Sequence, residues 1–433
     1  VKKWVMAMFS ILLIVGLIGC GNDSSTSSGK NKKVTISIAW WGDTERNKKY
    51  NDIADEFEKE HPNIEVKRQF GNFNDYWDKL ATQTAGGNAP DVVSMHARYV
   101  ADYARRNTLI DLGKYVDSGT IDLSDFPKSV VDSGKVDGKT YMVAQGVTTS
   151  GEIVNYTQIK KLGVEPFDDN WTWDDFVNRV IDLQEAIKTK GLKGTWAIDD
   201  QSSHMQPNFE YFLRTQGKEI YTADGKLGFD KADVVNWFKM WDKLRKAGAI
   251  PDAATGNEYK NVSLEQSLFV KDKVLIHDIP ANQLYLYQDQ LKNDDLGMIR
   301  YPQGEDGTNG EYVEGAYLSI TKGSKHPKEA AEFINFFVNS EKALGIFKVE
   351  QGAPGSTKMD EFVKPKLDKN QQESLEFIQK TLKIADTAPY PPKGNTEVTT
   401  AFSDAADSIS FGRASIEQAA EDFMNKAHSA IGQ

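Results

Sequence analysis

The side chains best suited to grip a small molecule stand at the end of the first apolar stretch after the leader, in Trp40-Trp41-Gly42-Asp43. A bare aromatic ring can stack on the apolar face of a ligand, and a carboxylate beside it can accept hydrogen bonds in a partly dry site. Trp40 shares a strand face with Val34, Ile36 and Ile38 and reads as core. Trp41 follows Thr35, Ser37 and Ala39 on the other face and reads, with Asp43, as a ligand contact, both rings being structural as the alternative. Covalent or metal chemistry has less to work with. The histidines at 61, 96, 204, 277, 326 and 428 include no pair at zinc-ligand spacing, and there is no His-Glu-x-x-His, EF-hand loop or Gly-x-Ser-x-Gly elbow. SGKVDGKT is one residue short of a phosphate loop between Gly134 and Gly138, so Asp137-Gly138 reads as a turn. Carboxylates are numerous enough to nominate a glycosidase pair, but that chemistry depends on a separation in space. No catalytic residue, metal or cofactor is expected. A hydrolase or lyase, and a binder of peptide or polyamine, stand as alternatives.

These residues need a scaffold, and the apolar pattern supplies one. From Val34 it switches between alternation and helical spacing, which implies an α/β fold around a largely parallel sheet. RNKKYNDIADEFEKEHP puts Tyr50, Ile53 and Phe57 on one stripe and stops at His61-Pro62. Strand NIEVKRQF, a helix carrying Tyr76, Trp77 and Leu80, and strand DVVSM complete a βαβαβ unit whose ligands belong at the carboxyl ends of the strands. KVDGKTYMVAQ forms a hairpin and SGEIVNY continues as strand. NWTWDDFVNRVIDLQEAI opens a helix with Thr172 as N-cap and Asp174 and Asp175 in its first turn. ADVVNWFKMWDKLRKAG aligns Val234, Trp237, Phe238, Trp241 and Leu244 on a buried face. KVLIHD, LGMIRYP and EYVEGAYLSITKGS are further strands, followed by one long helix, HPKEAAEFINFFVNSEKAL. The last two helices split at Gly412, the second opening with Ser415 and Gln418 in capping-box spacing.

The chain begins VKKWVMAMFSILLIVGLIGC, two lysines ahead of an apolar run, as a secretion signal does. Its Leu17-Ile18-Gly19-Cys20 ending resembles the lipobox of bacterial lipoproteins, which implies a signal peptide over 1–19 and a lipid on Cys20. An ordinary signal with an incidental cysteine is the alternative. Residues 20–33 are small and polar, a flexible tether. Cys20 is the single cysteine, so the mature chain has no internal disulfide, and roughly four hundred residues suit two domains. A net charge of -11 without a basic stripe argues against nucleic acid.

LIGC, the tether, VTISIAWWGD, EFEKEHPNIEV, YWDKLATQTAGGNAPDVVSM, KGSKHPKEAAEFINFFVNSEKA and GAPGS together resemble the family 1 extracellular solute-binding proteins of ABC importers, the class that includes the maltose-binding protein. The finer likeness is to Gram-positive lipoproteins that capture plant cell-wall oligosaccharides, including pectin-derived fragments. The resemblance implies a monomer on the outer face of the membrane with two interleaved α/β lobes, a hinge and a central cleft, serving ABC permease subunits. By that likeness lobe one takes 34–144 plus 318–379, and lobe two takes 145–317 plus 380–433. It places Asn74, with Asn72 as its turn neighbour, and His96, Arg98 and Tyr99 in lobe-one loops, and Gln145, Thr148, Glu314 and Tyr317 at the crossings. His204, Gln206, Asn208 and Phe209 follow in lobe two, Phe209 reading equally as core, with Gln351 and Glu397 in further cleft-side loops. One departure stands out: FVKDKVLIHDIPAN carries Asp272 for the usual glycine and Asn282 for the usual stacking tryptophan. His277, Asp278 and Asn282 then make a more polar wall, and with His96 and Arg98 opposite they suggest a uronate-containing sugar.

Overall fold

Parallel strands β1 (Val34–Trp41), β2 (Ile64–Gly71) and β3 (Val92–His96) form the first half of one sheet, Val34 opposite Ile64 and Trp41 opposite Gly71. The computed structural model describes residues 33–260 and 262–432. The expected signal peptide, Cys20 and nearly all of the tether lie outside the described residues, as do the side chains of Asn74 and Arg98. Between β1 and β2 runs the helix Thr44–Glu60, which buries Tyr50, Ile53, Ala54 and Phe57 and ends on His61. β4 (Lys135–Val136) and β5 (Lys139–Thr140) flank Asp137 and Gly138, both at positive φ, as a tight hairpin requires.

β6 (Val143–Thr148) belongs to the first sheet and passes through Thr149 directly into β7 (Ser150–Asn155) of a second. β8 (Trp196–Ile198), β9 (Val274–Pro280) and β10 (Leu296–Ile299) complete that second sheet, in the order β10-β7-β9-β8. The chain then returns through β11 (Glu314–Ile320), giving the first sheet the order β2-β1-β3-β11-β6. Both sheets are mixed: β11 is antiparallel to β3 and β6, and β7 to β9 and β10. The largely parallel sheet expected from the alternation holds in each case but for one reversed strand, β11 in the first sheet and β7 in the second. Strands arriving by direct crossing from the other lobe need no helical return and so run against their neighbours.

Among the described residues two main cores follow from this path, beside two smaller clusters. One draws on Ile36 through Val147 and Val313 through Ile378, with Ala281; the other on Val154 through Ile299 and Val398 through Ala427. The fold is a two-lobed α/β architecture in which each lobe is built from discontinuous chain. In lobe two the helix Trp173–Thr189 begins with a complete capping box between Thr172 and Asp175, and Trp237, Phe238, Trp241 and Leu244 of the helix Lys231–Lys246 are buried. The expected long helix after His326 is two, Pro327–Asn339 and Glu341–Phe347, because Ser340 leaves helical geometry and caps the second through Lys342 N at 3.2 Å. Ser415 caps the helix Ile416–Ile431 through Gln418 N, but the Gln418 side chain turns to Asp422 and the box stays half made.

Candidate functional site

A cavity of about 550 Å³ lies where the two lobes face each other. β3 ends in His96, which lines it together with Ala97 and Ser133 from lobe one. Lobe two contributes Gln206, Pro207 and Glu210, while Tyr312, Glu314 and Tyr317 form its floor on and just before the returning strand β11. Thr387 to Pro391 closes one side. Tyr390 donates from its hydroxyl to Ser133 O, Arg105 reaches Pro391 O at 3.3 Å, and Arg214 of lobe two donates to Thr387 O at 3.5 Å. This proline-rich run is therefore tied to both walls.

Hydrogen bonds fix the polar groups of the cavity. Gln206 Nε2 donates to Glu210 Oε2 at 3.0 Å, Ser150 Oγ donates to Glu314 Oε1 at 2.7 Å, and Tyr317 donates to Ser133 Oγ at 3.0 Å. Burial pushes the Glu210 carboxyl up to about 7, against the pull of Arg214 and the Gln206 bond. The lining cations are already engaged, Arg105 with Asp137 at 3.3 Å and Lys135 with Asp132 at 2.7 Å. The resulting wall is rich in acceptors and hydroxyls, suited to a ligand that offers many donors.

Of the residues expected from the sequence, His96, Gln206, Glu314 and Tyr317 meet in this cavity. Trp40 is fully buried, stacked on Tyr50 at 4.5 Å. Trp41 is only 7% exposed, boxed in by Phe73, Tyr76 and Trp77 at 5.5 to 5.6 Å. The bare ring expected there is corrected, since a helix covers this face of the sheet too. It lies one neighbour from the cavity, 6.3 Å from His96. Tyr99 packs on Trp77 at 4.1 Å. Asp43 and Asn72 cap helices, accepting from Arg46 N and Asp75 N.

Beneath the cleft, Gln145 donates to Gln351 Oε1 at 2.6 Å and accepts from the Tyr50 hydroxyl at 2.8 Å, both glutamines being buried. Thr148 Oγ1 accepts from Asn282 N at 3.3 Å. Phe209 belongs to the core of lobe two, 4.9 Å from Phe402, and does not reach the cavity. Its neighbour Asn208 is buried against Gln201. Glu397 sits exposed in the first turn of the helix Asn395–Ser410, away from the cavity lining. His204, His277 and Asp278 gather elsewhere, the two histidines lining a second pocket within lobe two. Sequence reasoning missed Glu210, Tyr312 and Tyr390. The composition of Thr387-Ala388-Pro389-Tyr390-Pro391-Pro392 was the available signal for the last, a stiff segment with one aromatic ring.

Residues 41–343 match the family described as bacterial extracellular solute-binding protein. The chain belongs to that family. Among the relatives of this solute-binding protein is the melibiose/raffinose/stachyose-binding protein MelE of Bacillus subtilis, 24% identical over 79% of this chain and 78% of MelE. A family 1 extracellular solute-binding protein from Alicyclobacillus acidocaldarius superposes with a TM-score of 0.76 at 26% identity, covering 93% of this chain and 99% of that one. A periplasmic oligogalacturonide-binding protein from Yersinia enterocolitica, solved with saturated digalacturonic acid, also reaches 0.76, at 21% identity over 92% and 100% of the two chains.

Proposed function

We propose that this solute-binding protein is a lipid-anchored receptor that captures an oligosaccharide between its lobes and passes it to an ABC permease. The observation that carries the reading is the 550 Å³ cavity, whose walls come from two lobes with separate cores and whose floor is a crossing strand. The lobes are taken as 34–144 with 318–379, and 145–317 with 380–433, although Val147, Val313, Ala316 and Tyr317 at the crossings pack with the core of lobe one. Acceptors and tyrosine rings suit hydroxyl-bearing ligands, and the name of MelE supports a sugar. The lipobox-like Leu17-Ile18-Gly19-Cys20 supports attachment to the outer face of the membrane. Nothing in the mechanism requires a covalent step, because closure needs only tighter binding by the closed form.

The charge of the cavity bears on the finer reading. Five lining carboxylates, Asp132, Asp137, Glu210, Glu219 and Glu314, face two cations that are already paired. This favours a neutral oligosaccharide. A uronate-containing, pectin-derived fragment is the second reading, favoured by His96 on the wall and by the Yersinia likeness. Tryptophan fluorescence of the purified protein, titrated with raffinose, stachyose and digalacturonate while product formation is followed, tests both. A saturable response to a neutral sugar without product is expected. A preference for digalacturonate selects the second reading, and turnover or silence toward every sugar defeats both. In cells, Cys20→Ser is expected to release the protein to the medium; a variant that stays on the membrane removes the anchor from the reading.

A further inference from the structure

We propose that lobe two carries a site for a divalent transition metal, formed by Asp199, His277 and Asp278 beside the second pocket. β8 and β9 are parallel neighbours with Ile198 opposite Ile276. Asp199, one residue past the end of β8, therefore lies alongside His277 and Asp278, and one donor atom from each of the three falls within 4.8 Å of the others. His277 Nδ1 is 3.0 Å from Asp199 Oδ2, and His204 Nδ1 is 3.4 Å from Asp278 Oδ2. The remaining oxygen of Asp278, Oδ1, is buried and has no hydrogen-bond partner. A buried carboxylate oxygen left bare is costly, and it calls for an occupant.

The surroundings sharpen that demand. Glu152, 1% exposed, opposes Asp278 across the strand pair and accepts from Gln201 Nε2 at 3.0 Å. Three carboxylates and two imidazoles thus share one small volume. The bordering cations are engaged elsewhere, Arg245 with Asp200 at 2.8 Å and Lys260 with Asp407 at 3.2 Å. One imidazole with two carboxylates is a donor set for zinc and its neighbours, and three protein ligands leave a further position for water. The adjoining polar pocket, about 110 Å³ and lined by Asp199, His204 and His277, supplies that space and an entry path. His204 orients Asp278 as a partner outside the ligand set. It also opens the turn Met205–Phe209 that carries Gln206 to the sugar cavity, so a bound ion braces that wall. The site is distinct from the cavity and does not depend on the sugar reading.

The test titrates the chelator-treated full chain with Co²⁺, reading visible ligand-field absorption, then displaces it with Zn²⁺. One equivalent is expected to bind, to be displaced by Zn²⁺ and to raise the melting temperature. His277→Gln and Asp199→Asn are each expected to weaken binding about tenfold or more. Circular dichroism without metal checks that the variants fold, and a variant that fails is replaced by Asp278→Asn. The proposal is overturned if the wild-type chain takes up no stoichiometric metal, which would leave protons to neutralise the cluster. It is equally overturned if folded variants bind as tightly as wild type, which would place the metal elsewhere.

Discussion

Asp360 shows what a single buried carboxylate does to this fold. It is 7% exposed in the short helix Thr357–Val363, and its Oδ1 has no hydrogen-bond partner. Burial raises its pKa from 3.8 to about 7, only partly offset by Gln379. Because the folded carboxyl holds its proton more tightly than the unfolded one, stability falls as pH rises from about 4 to about 7 and the whole cost is present above that window. At about 1.4 kcal/mol per pH unit the cost is on the order of 4 kcal/mol. Asp360→Asn is therefore expected to melt well above wild type at pH 8 and close to it at pH 4; equal differences at both would refute the assignment. Residue types alone could not announce this, since nothing in Ser-Thr-Lys-Met-Asp distinguishes a buried aspartate from a capping one. The same limit governs the site. Strand alternation correctly makes Trp40 core, and strand ends point to His96. Alternation also leaves Trp41 bare, because the helix that covers it is a tertiary fact. Asp199 and His277 stand 78 residues apart, so no ligand spacing could link them.

At the scale of elements, β6 shows how tightly the crossing is built. Gly146 opposes Ala316 on one side, and on the other a Cβ at this position would lie 2.5 Å from Gln351 O. The Gln351 segment is held there by paired bonds between Val147 and Ala353, at 2.8 and 2.7 Å. Gly146→Ala must push that segment off the strand, disturbing the buried contact between Gln145 and Gln351, at a cost of about 1–3 kcal/mol. Urea unfolding is expected to show a lower midpoint with an unchanged slope. A stability within roughly 0.5 kcal/mol of wild type would mean the crossing is slack. Helices are legible in the residues themselves because their signals are local: Thr172 with Asp175, or the stripe through Phe57 ending at His61. Strand direction is not, since alternation reads the same whichever way a strand runs. β11 joins β6 from more than a hundred residues away, and only the lobes' interleaving sets its sense. The break at Ser340 is local and legible in principle, a capping residue inside an apolar helical pattern.

For the whole molecule, the proposed capture between two walls would make ligand binding and lobe closure one equilibrium. His96 and Ser133 stand on one wall, Gln206 and Glu210 on the other, and Thr387 to Pro391 is bonded to both. A sugar touching both walls is held by more groups when they approach, whereas one touching a single wall gains nothing from closure. Moving the lobes from almost entirely open to almost entirely closed takes a preference of about 10⁴ in affinity, or roughly 5.5 kcal/mol. That is within reach of a few buried hydrogen bonds of about 1–3 kcal/mol each. Saturating the protein with the tightest sugar of the panel is accordingly expected to reduce its radius of gyration in X-ray solution scattering. Gln206→Ala removes one contact from the lobe-two wall and leaves Glu210 without its amide partner, while the core residues behind it are untouched. It is expected to weaken sugar affinity about tenfold and to blunt the compaction at a fixed ligand concentration, with the melting temperature of the free protein little changed. A wild-type radius that stays constant at saturation would show that the sugar binds one wall only, and the two lobes would then have to be treated as a rigid body.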